Sequence, residues 1–410
     1  MTHDLASKMR VLVALESHFL SHGGRFYSEN LGYDTFWKRY LMGFDEVLVL
    51  GRCASASRVP PTYRQACGPR VQFAPVPDFY GVSGWFQNRR SIRTAICEAI
   101  DRADAFILRV PGFLGTLCGK RLNGLGQAYG VEVVGDPWDS LAPGCVQSKL
   151  RPMLRYKAWY DLRRLCRLAC TSAYVTSESL QKRYPCSPNT FTTHYSSVEL
   201  PDESVLRDPA PRQVSLASLK QRVSDSSQSP IRLGFIGTFE ALYKDPETHL
   251  RAVAELIRRG ANVQLRLAGD GKYLGVMQQL SQSLGIEAKT QFLGRLSPGK
   301  RVFEFLDETE LFLNASIQEG LPRAMIEAMS RGCPVVASTV GGIPELVAPQ
   351  FLVPPGDQIA LAYCNQSTLS MNHRLGNVVE HHLALAGKFR VSVLNERRAL
   401  HYQTLAQRSS

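Results

Sequence analysis

The chain has 410 residues, 44% hydrophobic and 20% charged, so it reads as a soluble globular protein too long for one core of ~250–300 residues, and two domains are expected. A formal net charge of +12 points to an anionic partner and leaves nucleic acid, a membrane surface and a phosphorylated substrate all open. No apolar run of about 20 residues occurs, which excludes a membrane-spanning helix, and the start (MTHDLASKMRVLVALESHFLSHGG) is broken by polar residues before a signal-peptide core can form, so a cytosolic or peripheral protein is expected.

Arg10 to Leu15 is a short apolar run followed by a polar loop in which Gly23 and Gly24 lead into a candidate helix. A strand, a glycine turn and a helix in that order describe an α/β unit with its binding edge at the strand's carboxyl end. Gly23 and Gly24 are therefore either a backbone approach to a ligand or a plain tight turn. Further strands are predicted at Val47–Leu50, Val71–Ala74, Ala105–Val110, Val131–Val134 and Ala173–Thr176, with helical patterns such as Ser91–Ala103 between them, so the economical fold is a parallel sheet covered by helices on both faces. The loops after these strands carry Arg109, Asp136, Asp139 and Glu178 to one rim. Gly124, Gly126 and Gly130 are spaced G-x-G-x-x-x-G and precede a strand, so they are no dinucleotide fingerprint.

Lys149 to Arg167 interleaves basic residues with Leu, Met, Trp and Tyr. It reads either as an amphipathic helix for an anionic bilayer or as a surface helix whose Trp159 and leucines face the core. Glu199 to Pro230 is rich in Pro, Ser, Asp and Gln and reads as a polar connector. From Ile231 a second strand-turn-helix series begins, each strand ending in glycine or a polar loop, which gives a second doubly wound sheet. The ten cysteines include no C-x-x-C pair, and Cys97 and Cys333 lie in apolar runs, so reduced, buried thiols are expected rather than a disulfide framework. The adjacent Glu380, His381 and His382 read as a solvated helix turn, not a metal site.

The chemistry concentrates at Glu319 to Gly332, EGLPRAMIEAMSRG. Pro322 suits the first position of a short helix that Gly332 and Pro334 stop, placing Glu319 just before the helix and Glu327 more than one turn inside it. The free N–H groups at the helix start favour a phosphate or a sugar hydroxyl. Two acceptors and a row of donors then share a small volume.

These residues, with LGFIGTFEALYK, LRLAGDGKY, QFLGRLS and STVGGIPELV, occur in the order and near the spacing of the retaining GT-B glycosyltransferases of family 4 (glycosyl transferases group 1), which the chain resembles over about Ile231 to Asp357. The resemblance implies an α/β fold of two doubly wound Rossmann-like domains facing a cleft. The implied division is 1–198 as an acceptor-binding domain, 199–230 as connector, 231–360 as a nucleotide-sugar domain and 361–410 as a helical tail. By the same resemblance Glu327 binds the nucleotide ribose, Glu319 the transferred sugar with the N–H groups of Gly320 and Leu321, and Lys244 the diphosphate leaving group. Gly237, Thr238, Arg295, Gly341 and Gly342, together with Gly23 and Gly24, complete the implied donor contacts. Thr238 stands where the family usually has an arginine, and Gly135 or Asp136 where many relatives have a histidine, so Asp136 or Asp139 is either its substitute or a turn residue.

No D-x-D pair is present, so metal independence is expected, with lysine and helix N-termini holding the diphosphate of a UDP- or GDP-sugar donor and no cofactor. The implied activity is retaining transfer of a hexosyl group to a hydroxyl of a glycan or lipid-linked acceptor, in the cytoplasm or peripheral to the inner face of a membrane, and no nucleic acid partner is expected. The competing readings are another GT-B enzyme, an epimerase or a phosphorylase, and a non-catalytic module that binds sugar nucleotides or polyanions.

Overall fold

A computed structural model describes residues 8–142, 149–225, 227–371 and 374–409. The chain forms two compact units, Met1–Tyr195 with Asn395–Ser410, and Ser196–Leu394.

In the first unit the opening apolar run becomes β1 (Arg10–His22), with Val11, Leu12, Val13 and Ala14 fully buried. There follow β2 (Arg25–Ser28), β3 (Glu46–Ser55), β4 (Arg64–Gln65), β5 (Val71–Pro77), α1 (Gly81–Ile100), β6 (Ala105–Val110), α2 (Phe113–Leu125) and β7 (Gly130–Val133). Next come α3 (Pro137–Ser140), α4 (Arg151–Leu168), β8 (Thr171–Tyr174), α5 (Ser179–Arg183) and β9 (Phe191–His194). The parallel strands run β5-β3-β1-β6-β7-β8-β9. Such strands are buried on both faces, which is why they read as unbroken apolar runs. Gly126, of the discounted glycine series, is the left-handed stop of α2 at φ +68°.

Gly23 and Gly24 do not lead into a helix. β1 continues past Leu15, resumes its pairing with β3 at His18, and turns through Gly23 (φ +56°) and Gly24 (φ +72°) into antiparallel β2. Two successive positive φ angles match the twist of a tight hairpin and favour glycine there. The glycine pair is a hairpin tip.

The second unit opens with α6 (Ala210–Ala217) and α7 (Leu219–Arg222), then β10 (Ile231–Ile236), α8 (Pro246–Arg258), β11 (Val263–Ala268), α9 (Leu274–Ser283) and β12 (Thr290–Phe292). It continues with α10 (Lys300–Glu308), β13 (Leu311–Asn314), α11 (Arg323–Ser330), β14 (Val335–Ser338), β15 (Leu352–Val353), α12 (Gln358–Leu369) and α13 (Arg374–Gly387). Its six strands are all parallel, in the order β12-β11-β10-β13-β14-β15. Strand order reverses between β10 and β13, and in sheets of this kind ligands bind beyond the carboxyl ends of the strands at that reversal.

The stretch 199–230 is not a bare connector. Leu216, Leu219 and Val223, spaced three and four apart, form a helical stripe buried in the core with Ile231 and Leu233. The last helix, α14 (Val391–Ser409), belongs from Asn395 onward to the first unit rather than to a separate tail. There Tyr402 and Leu405 join the core beneath β1, and Glu132 of β7, 1% exposed, accepts hydrogen bonds from Tyr40 and Tyr195 at 2.9 Å and from Tyr402 at 3.3 Å. Burial opposes ionisation of Glu132, but the guanidinium groups of Arg109 and Arg39 more than offset it and hold its carboxyl down at about 2.

Candidate active site

Lys244 and Glu319 approach one another across the reversal of the second sheet. Lys244 ends a 3-10 turn, Leu242–Lys244, that follows β10 and passes directly into α8 through Asp245, a non-glycine residue at φ +49°. Asp245 caps α8 by accepting from the Thr248 N–H at 3.2 Å and the Thr248 hydroxyl at 2.6 Å, which helps to hold it in that uncommon backbone state. Glu319 lies in the loop after β13. Its Oε1 is ion-paired with Lys244 Nζ and also accepts from Ser316 Oγ at 2.8 Å. The two loops are also joined by the Ile317 N–H donating to the Tyr243 carbonyl at 2.8 Å. Burial pushes the Tyr243 phenol up, and the charge of Glu319 adds to the shift.

Buried His249 fixes the same two loops from below. Its Nδ1 lies 2.8 Å from the Asp245 carbonyl and its Nε2 accepts the Ala315 N–H at 3.1 Å, so the ring is the neutral Nδ1–H tautomer. Burial lowers its pKa further, in keeping with that state. Nothing in the sequence marked His249, because a buried bridging histidine has no local pattern.

Gly341 and Gly342 reach this site from the loop after β14. The Gly342 N–H donates to the Gly320 carbonyl at 2.9 Å, and a Cβ on Gly341 (φ +54°) would stand 1.9 Å from the Glu319 carbonyl oxygen. The close approach of the two backbones is therefore what requires glycine at 341. Pro322 is the cap of α11, with extended ψ of 115°, one position earlier than its expected place as first helical residue. Leu321 packs against the core beside α11, while Gly320 has open space around its Cα. Glu327 stands in the middle of α11, its side chain 16% exposed and 3.9 Å from Arg323. Burial raises its pKa, and Arg323 only partly opposes this.

The other expected contacts are spread more widely. Gly237 extends β10, its N–H donating to the Ala268 carbonyl at 3.0 Å, and the Thr238 hydroxyl accepts the Glu240 N–H at 3.0 Å, so Thr238 shapes its own turn. Arg295 follows the edge strand β12, two strands from the reversal, and is exposed. His382 is not on a solvated turn: it is 1% exposed with Nδ1 2.8 Å from the Cys333 carbonyl, and Glu380 accepts from Gln213 at 3.1 Å. Cys333 is buried and Cys97 half-buried.

In the first unit the order reverses between β1 and β6. Glu16 of β1 is ion-paired with Arg52 of β3 and accepts the Leu114 N–H at 3.0 Å, so a carboxylate of the chain itself sits at the start of α2. Next to it His18 Nδ1 is 2.6 Å from Asp78 Oδ1, and the imidazole stacks on Tyr80 with centroids 4.7 Å apart. These polar groups lie along the second half of β1, before the Gly23–Gly24 turn, and near the ends of β3 and β5, and no local sequence pattern marks them. Asp136 and Asp139 are both ion-paired with Arg183, and Asp136 caps α3 through the Trp138 N–H at 2.8 Å. Burial raises the pKa of Asp139, and neighbouring Asp136 adds to the shift.

Two Rossmann-type units, one of them with a lysine–carboxylate pair at its switch point, define the GT-B class of fold. Residues 230–370 match the family described as Glycosyl transferases group 1. Protein CapJ of Staphylococcus aureus is 25% identical over 358 residues, spanning 86% of this chain and 84% of CapJ. The putative colanic acid biosynthesis glycosyltransferase WcaL of Escherichia coli K12 is 33% identical over 122 residues, 28% of this chain and 30% of WcaL. Among solved structures, Anabaena HepE in complex with UDP and glucose is similar with a TM-score of 0.59 at 17% identity, covering 95% of this chain and 97% of HepE. Over residues 230–370 the chain is thus similar to the group 1 glycosyl transferases, and its fold is that of the GT-B glycosyltransferases.

Proposed function

We propose that the protein transfers a hexosyl group from a UDP- or GDP-sugar to a hydroxyl of a glycan or lipid-linked acceptor, with retention of anomeric configuration, in polysaccharide or glycoconjugate biosynthesis. The observation that carries this reading is the Lys244–Glu319–Ser316 cluster at the strand-order reversal of the second unit. HepE, described with UDP and glucose, and WcaL, named for colanic acid biosynthesis, support the donor class and the pathway type.

The second unit would hold the donor and the first the acceptor. Lys244 would neutralise the diphosphate as negative charge grows on it, and the N–H groups of Gly320 and Leu321 would add donors that need no reorganisation. Glu327 would accept from the ribose hydroxyls, and Glu319 from hydroxyls of the transferred sugar. Glu319 is already engaged by Lys244 and Ser316, so it suits positioning better than nucleophilic attack. Retention would then follow from attack of the acceptor on the face the phosphate leaves, the departing phosphate taking the hydroxyl proton. Catalysis on this scheme comes mainly from positioning and electrostatics. The protein would act in the cytoplasm or peripherally at the inner face of a membrane.

The test is donor binding by thermal shift, and turnover, across a panel of nucleotide sugars for wild type, Lys244→Ala and Glu327→Ala. Both variants should lose donor-induced stabilisation and turnover. Wild-type values in both would remove these residues from the donor site.

A further inference from the structure

The burial of α4 separates its two faces. Asp161, Leu162, Leu165 and Cys166 are buried, and Trp159 is half-buried near Trp138 with ring centroids 6.3 Å apart. The core accounts for this face. On the other, Met153, Tyr156 and Tyr160 are 59%, 60% and 52% exposed, with Leu150 and Leu168 also exposed at the two ends. Lys149, Lys157, Arg164 and Arg167 are exposed beside them. At about 100° per residue all nine fall within an arc of roughly 120°, on a helix about 27 Å long.

Charge decides what such a face suits. Asp161 is the helix's single acidic residue, and it is turned inward, where Lys120, at 3.1 Å, and Lys157 share it. The exposed arc therefore carries apolar and aromatic tips among cations and no carboxylate. A protein-binding hot spot would gather its aromatic residues centrally within a polar rim. Here they alternate with cations along the whole helix, as in a helix lying in a lipid interface, where apolar tips enter below the headgroups and lysine and arginine meet phosphates.

We propose that this face of α4 docks the protein on an anionic phospholipid bilayer, with the helix parallel to the surface. Docking deepens the reading of a membrane-presented acceptor and rests on that reading only for its purpose. It requires no donor or turnover, so its failure and that of the transferase reading are distinguishable.

The experiment is flotation of the full chain with phosphatidylcholine vesicles, with and without phosphatidylglycerol, at low and high salt. Wild type should float only with phosphatidylglycerol, and less at high salt. Arg164→Glu with Arg167→Glu should weaken binding more than about ten-fold, and Tyr156→Ser with Tyr160→Ser should also weaken it. Because these side chains are exposed, the melting temperature and donor binding should stay at wild-type values. Lys300→Glu with Arg301→Glu on α10, where both residues are 91% and 74% exposed, is the charge-matched control and should float as wild type. Absence of flotation at low salt, equal flotation on phosphatidylcholine alone, or equal loss in the control would each overturn the proposal. So would a self-associating wild type that the tyrosine variant turns into monomers without any vesicle binding, since the face would then join copies of the chain.

Discussion

Lys244 Nζ is bound to the Glu319 carboxylate, and Ser316 donates to the same oxygen at 2.8 Å. Their side chains are 14% and 8% exposed, so the pair sits in a poorly screened environment where each group strongly constrains the other. A diphosphate that draws on Lys244 has to share it with Glu319.

Two substitutions separate the partners. If Lys244 holds the donor diphosphate as proposed, Lys244→Ala should lower kcat/KM by about 10²–10³-fold, the range seen when one preorganised charge-stabilising group is lost. Glu319→Gln frees the lysine, so donor affinity should hold or rise while kcat falls. Calorimetric donor binding beside initial rates checks both, and wild-type kcat in Glu319→Gln would refute a role for Glu319 at the sugar.

Glu327 should show a trade-off between stability and function. Its folded pKa is raised by burial, so its ionisation works against folding: the stability it contributes is present below its unfolded pKa and lost as pH rises through its folded one. At neutral pH Glu327→Gln removes that burden and should raise the melting temperature, by about 2–4 °C per kcal/mol in a unit of this size. The same change should weaken nucleotide binding by about ten-fold or more, since a neutral amide is a poorer acceptor for ribose hydroxyls. Scanning fluorimetry with and without donor reads both effects.

Gly341 and Gly320 offer a matched pair. Alanine at 341 would press its Cβ against the Glu319 carbonyl and strain a φ of +54°, whereas alanine at 320 meets nothing within 4 Å. Gly341→Ala should therefore shift Glu319 and cost roughly 1–3 kcal/mol, with a fall in turnover, while Gly320→Ala should stay close to wild type in stability. Equal melting temperatures for the two variants would contradict the described loop packing.

Mild acid should destabilise the protein through two buried histidines. Burial pushes the imidazoles of His382 and His401 down to about 4 from 6.5, so each is neutral in the fold and protonates first in the unfolded chain. Stability is then full above 6.5 and falls as pH drops toward 4, with a loss on the order of 2 kcal/mol per histidine by about pH 5. Melting temperatures across this range give the slope, and His382→Gln should flatten it.

Much of the fold was legible because parallel strands advertise themselves as apolar runs and because glycines mark their ends. The candidate site was legible around Glu319, where paired carboxylates, a proline and a glycine stop lie close in sequence. Leu216, Leu219 and Val223 were hidden because three apolar residues suffice for one buried stripe and the surrounding serines and prolines dominate the composition. His249, the His18–Asp78 contact and the Glu16–Arg52 pair were hidden for a different reason. Each joins residues from separate strands or loops, and spacing along the chain carries no record of which strand ends become neighbours. Gly23 and Gly24 stayed ambiguous because a glycine pair serves a hairpin as readily as a phosphate loop, and only the pairing of β1 with β2 shows that a strand rather than a helix follows them.

The return of α14 to the first unit imposes an order of events on biosynthesis. Tyr402 and Leu405, which close the core beneath β1, and the Tyr402 hydroxyl that reaches Glu132 are made roughly 200 residues after β9, about 10–40 s later at ordinary elongation rates. During that interval the nascent first unit has an open flank with a buried-type ion cluster facing solvent, a surface on which a chaperone would be expected to act. A fragment ending at Tyr195 would keep that flank permanently, so the first unit is better produced as the full chain than as its N-terminal half.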